Sequence, residues 1–166
     1  MKLISALALL LVGTPALAQI TPTPPLPPAN ALPPPESEEG QVLAPINALF
    51  AALAARDSQA ILAQVRPEGS VTVANEKPDG THAIRHETLG EFAAGLKPGP
   101  EKYAERLIAP AVEIDGDIAM VWGSYVFTVD GKVVHCGVDH FSLFRENGRW
   151  KIGHIAWSAR TTGCDQ

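Results

Sequence analysis

The chain is short of cysteine, of aromatic residues and of positive charge. Only two cysteines occur in 166 residues. That excludes a disulfide-dense small scaffold and a four-cysteine zinc site. Three Trp, two Tyr and five Phe are all the aromatic residues available to a core or a ligand wall. Thirteen Lys and Arg face eighteen Asp and Glu, for a net charge of −5. With no basic cluster, this balance argues against nucleic acid and against anionic membrane surfaces. Neither H-x-H nor H-E-x-x-H occurs, so no short metal-ligand spacing is present, and no metal or cofactor is expected. The one long apolar run, Leu3 to Val12, is too short to span a bilayer.

That run has the build of a secretory signal peptide. Lys2 supplies the n-region charge, and Ala16-Leu17-Ala18 is a small-residue cleavage site. Residues 1–18 are expected to be removed before Gln19, which places the protein in the periplasm or outside the cell. Removal takes away Lys2 alone among the charged residues, so the net charge becomes −6. Residues 19–40 are rich in proline, which fixes φ and removes backbone donors. They read as an extended linker.

From Gln41 the hydrophobic period changes. Val42, Ile46, Leu49, Phe50 and Leu53 recur at helical spacing. Pro45 is best tolerated in a first turn, so this helix is expected to begin just before it. Asp57 is an N-cap for a second helix to about Val65. Ser70 to Asn75 alternates as a short strand, and Thr81 to Arg85 reads as its return. Thr88 caps a third helix over Leu89 to Leu96. Tyr103 to Ile114 reads as a strand that leads into a turn at Asp115-Gly116. Three further strands follow, separated by Asp130-Gly131 and Asn147-Gly148, the pairs that type I′ hairpins require. Helices that precede and cover an antiparallel sheet make an α+β domain, here over residues 41–160, with 161–166 as a tail.

Two-residue loops fix a register, and alternation then sorts side chains by face. Counting from the turns puts Trp122 opposite Asp139, Asp139 opposite Ala156, and Cys136 opposite Ala159. One face then carries Ile118, Met120, Trp122, Phe141, Leu143, Trp150 and Ile152, with Ser124, His135, Asp139, His154, Ser158 and Arg160 at its polar end. The other carries Val121, Tyr125, Phe127, Val138, Phe144, Ile155 and Trp157. A bulge would exchange the faces beyond it. Cys164 follows Cys136's expected partner by five residues, so a returning tail brings the two together. A disulfide is expected in an oxidising compartment; two reduced cysteines are the alternative.

The ordered set of Pro45-Ile-Asn-Ala-Leu-Phe-Ala-Ala-Leu53 with Asp57, Val112 to Trp122, Tyr125-Val-Phe127, His135 to Phe141, and Gly148-Arg-Trp-Lys-Ile152 resembles the nuclear transport factor 2-like superfamily. The resemblance covers about residues 41–160. It implies a curved sheet wrapped by helices into a cone with a pocket inside, and often homodimers through the outer sheet face. Related enzymes of the SnoaL and ketosteroid isomerase kind use a carboxylate in that pocket, with a Tyr, His or second carboxyl to hold an oxyanion. Their full catalytic sets do not map onto this sequence.

Asp139 stands in an otherwise apolar strand. Burial would make it a general base near neutral pH. Alternatively it is a structural carboxylate paired with Arg160 or His154. His135 and His154 are proton shuttles or, more simply, rim hydrogen-bond donors. Trp122, Tyr103, Phe92, Phe141 and Arg160 are candidate pocket residues, which plain core packing would equally explain. Trp157 and Tyr125 fall in the outer set and suit a dimer interface. Two functions remain open. One is an enzyme moving a proton on a small hydrophobic carbonyl compound. The other is a non-catalytic binding module for an apolar ligand or protein partner.

Overall fold

The computed structural model describes residues 33–164. The signal peptide and most of the Pro-rich linker inferred above lie outside the described residues. The elements run α1 (Glu38–Ala55), α2 (Ser58–Leu62), β1 (Val65–Glu76), β2 (His82–Thr88), α3 (Leu89–Gly95), β3 (Tyr103–Asp115), β4 (Ile118–Val129), β5 (Lys132–Glu146) and β6 (Arg149–Ala159). This is the expected order of two helices, a strand pair, a helix and a four-strand meander. The strands form one sheet in the order β2-β1-β6-β5-β4-β3. Every neighbouring pair is antiparallel except β1 and β6, which run parallel.

Helix α1 begins seven residues earlier than the proline rule predicts. Ser37 caps it, accepting from the Gly40 backbone N–H at 3.0 Å. The Pro34-Pro35 segment folds back onto this first turn so closely that a Cβ at Gly40 would overlap the Pro34 carbonyl. Pro45 therefore sits inside the helix, where it removes one hydrogen bond. Burial of Val42, Leu43, Ile46 and Leu49 on the same element offsets that loss. At its other end Arg56 takes a left-handed conformation, and the Asp57 side chain accepts from Ala60 N–H to start α2. Helix α2 stops at Leu62, short of the expected Val65, because Val65 is already paired with Ile152 of the sheet. Helix α3 has a complete capping box between Thr88 and Glu91.

Both predicted I′ turns are present, with positive φ at Asp130, Gly131, Asn147 and Gly148. The β3–β4 loop is Gly116-Asp117, one residue later than expected, since Asp115 pairs with Ile118. The faces beyond the turns differ from the simple count. Phe127 pairs with His135 and Thr128 with Val133, leaving Val134 as an extra residue in β5. Ser142 pairs with His154 and Leu143 with Ile152, leaving Gly153 extra in β6. Each bulge shifts the register by one, which exchanges the faces. Asp139 thus lies opposite Gly123 and Trp157, not Trp122 and Ala156. Cys136 bridges to Arg160, not Ala159.

The helices cover one face of the sheet. Val42, Ile46 and Leu49 of α1 pack in one cluster with Val121, Phe141, Leu143, Ile152 and Ile155. Tyr125 and Phe141 are fully buried on this inner face. Ile118, Met120, Trp122 and Phe144 are exposed on the outer one. The tail returns to β5 as inferred. Cys136 and Cys164 are at disulfide distance, their Cα atoms 5.6 Å apart.

Candidate functional site

The site lies on the inner face of the sheet, toward the β4–β5 hairpin. There the alternating inward positions of β5 present His135, Gly137, Asp139 and Phe141. An apolar cavity of about 150 Å³ opens in front of them. Phe50 of α1, Phe92 of α3, Phe127 of β4 and Trp157 of β6 wall it, and Phe92 meets Trp157 edge-on at 6.1 Å between ring centroids. Such a volume matches engineered cavities that take benzene and lies below drug-sized pockets.

Asp139 is only 2% exposed and enters none of the ion pairs among the described residues. Neither structural partner inferred for it, Arg160 or His154, makes an ion pair or hydrogen bond with it. Its neighbour is instead Glu105 of β3, whose carboxyl lies within hydrogen-bond reach. Two carboxylates have no donor to offer each other. Asp139 Oδ2 accordingly has no donor from the protein. One proton held between the two carboxyls supplies the missing hydrogen bond and removes the repulsion. Burial, then the neighbouring Glu105 charge, pushes the Asp139 carboxyl far above the ordinary range. Burial also raises the half-buried Glu105, to about 7, against the hydrogen bond from Asp139 that lowers it. Asp139, the less exposed of the two and the more strongly raised, is the main holder of a proton in the pair.

His135 lines the same cavity and stacks on Phe127, with 4.8 Å between centroids. Burial lowers its pKa, so the imidazole is neutral at pH 7. Its Nδ1 meets the Tyr125 hydroxyl at 2.9 Å. That hydroxyl gives its one proton to the Ser158 carbonyl at 3.0 Å, two strands away, so His135 Nδ1–H donates to the hydroxyl oxygen. The phenol can cross because Gly137 stands opposite Tyr125 in β5 and a Cβ there would overlap the Ser158 carbonyl. Burial first, and then the charges of Asp139 and Glu105, raise the Tyr125 phenol above its ordinary range, while Arg160 opposes them. The phenol is a fixed donor, not an acid.

Of the sequence candidates, Asp139, His135, Phe92 and Phe141 come together at this cavity. Trp122 does not: it is 54% exposed on the outer face, beside His140. His154 is also outside, hydrogen-bonded to Ser70 at 2.8 Å and 6.0 Å from His140 between ring centroids. Tyr103 sits behind the Phe127 wall, under the Arg56 guanidinium at 3.9 Å. Arg160 closes the end of β6 against Cys136. Conversely, Tyr125, Phe127 and Trp157, sorted to the outer face by the turn register, belong to the inner one. Glu105 was not singled out, although Tyr103, Glu105 and Leu107 alternate on one face of their strand. Among the described residues no group of three or more His, Cys, Asp or Glu side chains is placed to hold a metal. No described helix is long and apolar enough to cross a membrane.

The arrangement of sheet and covering helices matches solved structures. A protein from Novosphingobium aromaticivorans with a cystatin-like fold, itself nuclear transport factor 2-like, superposes with a TM-score of 0.58 at 13% identity, over 76% of this chain and 84% of that one. The chain has the nuclear transport factor 2-like fold. A Xanthomonas campestris protein named after the association domain of calcium/calmodulin-dependent protein kinase II gives 0.57 at 21% identity, over 80% and 95% of the two chains. A nuclear transport factor 2-like superfamily protein from Salmonella enterica gives 0.55 at 19% identity, over 76% and 94%. No family model and no curated protein matches the sequence. At these identities the nuclear transport factor 2-like likeness is one of fold, and the fold hosts many functions.

Proposed function

We propose that this is an exported protein that binds a small, mostly apolar carbonyl compound in its cone and moves a proton on it. The observation that carries the reading is the Asp139–Glu105 carboxyl pair at the wall of an apolar cavity. Two carboxyls whose surroundings separate their proton affinities divide the roles of acid and base between them. Glu105, as carboxylate, takes a proton from the carbon next to the carbonyl. Asp139, as carboxylic acid, donates a hydrogen bond to the carbonyl oxygen as negative charge develops there. The electron pair of the broken C–H bond goes into the enolate. The proton on Glu105 returns to the carbon or exchanges with water. His135, neutral through burial and with its Nδ1–H given to Tyr125, presents Nε2 to the cavity as an acceptor. The outer apolar residues Ile118, Met120, Trp122 and Phe144 support a homodimer through that face.

Cyclohexanone is a ring of the right size for the test. In heavy water, NMR should show protein-catalysed loss of its α-proton signals. Glu105→Gln should abolish that exchange, and Asp139→Asn should reduce it by about 10² or more. Binding without exchange would instead establish the second reading, a non-catalytic binding module. The occupied Nδ1 of His135, already committed to Tyr125, is the feature that favours that alternative.

A further inference from the structure

The β5–β6 ladder is interrupted beside the site. Asp139 pairs with Trp157, and regular pairing stops there. Backbone bonding returns at one further pair. Cys136 N–H donates to the Arg160 carbonyl, and Arg160 N–H to the Cys136 carbonyl, both at 3.0 Å. Between these pairs, Val138 N–H donates to the Ser158 hydroxyl oxygen at 3.1 Å. The Ser158 carbonyl accepts from the Tyr125 hydroxyl of β4. Side chains thus stand in for ladder bonds next to the cavity residues Asp139 and Trp157. A single backbone pair beyond a gap, at the end of a strand, opens before the rest of a sheet.

The chain has a second closure at that pair. The tail turns back at Gly163, whose φ is 64°, and Cys164 meets Cys136 at disulfide distance. Cys136 is buried, and its neighbour in β5 is His135, which lines the cavity. Through Tyr125, His135 is joined to Ser158 within the gap. The His135–Tyr125–Ser158 chain therefore lies between the covalent tie and the Asp139–Trp157 pair. Asp139 and Glu105 share the cavity with His135, and Arg160 is the cation at the strand end.

We propose that the Cys136–Cys164 disulfide is a clasp for the site. Closed, it holds His135 against Tyr125 and Trp157 in the cavity wall. Opened, it lets the end of β6 leave β5 and uncouples His135 from Tyr125. A dithiol reductant opens it. Two electrons and two protons pass to the bridge, the S–S bond breaks to two thiols, and the dithiol closes to its own disulfide. The sheet persists, because Val121, Phe141, Leu143 and Ile152 pack with α1 on the far side of the Asp139–Trp157 pair. The two cysteines position the site and touch no ligand. The clasp acts on the cavity whatever ligand it holds; its effect on proton transfer alone rests on the carbonyl reading above.

Three samples are compared by far-UV circular dichroism and by NMR titration of His135: the air-oxidised protein, the same protein in excess dithiothreitol, and Cys164→Ala. Cys164 is half-buried in the tail, and replacing it leaves the buried Cys136 in place. All three should give the same far-UV spectrum. In the oxidised protein His135 should titrate below its ordinary range. In the other two its midpoint should rise to about 6.5, and dithiothreitol should change nothing further in Cys164→Ala. The α-proton exchange of cyclohexanone should fall about tenfold or more in both, and reoxidation of the reduced protein should restore it. A His135 midpoint unmoved by reduction would overturn the clasp and leave the bridge as a tie for the tail. Loss of the far-UV signal would overturn it too, since the bridge would then hold the whole sheet. Two free thiols in the air-oxidised protein, counted by alkylation and mass, would do the same. Absence of cyclohexanone exchange in the oxidised protein would remove the carbonyl reading, and the His135 comparison would still decide the clasp.

Discussion

Asp139 carries a cost that a purely structural carboxylate would avoid. It is buried, makes no ion pair, and stands beside a second carboxyl, Glu105. Its pKa in the folded protein lies above the unfolded value of 3.8. The folded state therefore binds more protons than the unfolded chain once the pH exceeds that value. By linkage, stability from this group is present at low pH and is lost as the pH rises through the folded pKa. His135 acts in the opposite sense: burial lowers its pKa, so its contribution is present above about 6.5 and lost on acidification. Comparing melting curves of the unmodified protein and Asp139→Asn cancels the histidine term. The variant should be more stable at pH 8 by about 1–2 kcal/mol, with the difference shrinking toward pH 4. A variant less stable at pH 8 would mean that Asp139 braces the fold.

At the scale of elements, the site depends on how far strands depart from simple alternation. Gly137 is the position where β5 lets Tyr125 of β4 reach Ser158 of β6. Gly137→Ala should force the backbones apart and cost about 2–3 kcal/mol, measured by chemical denaturation. The same variant should release the Tyr125–His135 pair, visible as a His135 imidazole that titrates closer to its ordinary range by NMR. An unchanged midpoint would show that β5 and β6 are not as close there as the structure places them.

This dependence also explains what was legible beforehand. Asp130-Gly131 and Asn147-Gly148 announce their hairpins, because positive φ at both residues restricts the choice of side chain. Thr88, Asp57 and the apolar spacing of α1 likewise act locally. The order of elements, and the resemblance that rests on it, follow from such local signals. The bulges at Val134 and Gly153 have no such signature. Val134 is a β-branched residue in a run of Val, and Gly153 is there because Phe144 lies over it. One missed residue in each strand was enough to send Trp122 and His154 to the wrong face and to leave Trp157 out of the pocket. Asp139, His135 and Phe141 were placed correctly because all three sit on one strand, on the same side of its bulge. Glu105 was missed because its partner across the cavity is on a strand that is not its neighbour.

The whole molecule presents two unlike surfaces. The inner face is closed by helices and holds the carboxyl pair. The outer face leaves Ile118, Met120 and Trp122 in solvent, the first two at the wall of a shallow concavity of about 410 Å³. If a second copy covers it, Trp122→Glu should convert a dimer to a monomer in sedimentation velocity while leaving the α-proton exchange of cyclohexanone in place. A monomer before mutation would remove the outer face from consideration.

The proposed chemistry turns on a proton held between Asp139 and Glu105, which infrared spectroscopy would observe directly. The difference spectrum between the unmodified protein and Asp139→Asn at pH 7 should show the C=O stretch of a protonated carboxylic acid, present in the former and lost in the latter. That band should persist up to pH 8, well above the ordinary carboxylate range. A spectrum with only carboxylate bands at pH 7, and an Asp139 that titrates near 4, would contradict the assignment of Asp139 and Glu105 as a proton-sharing pair.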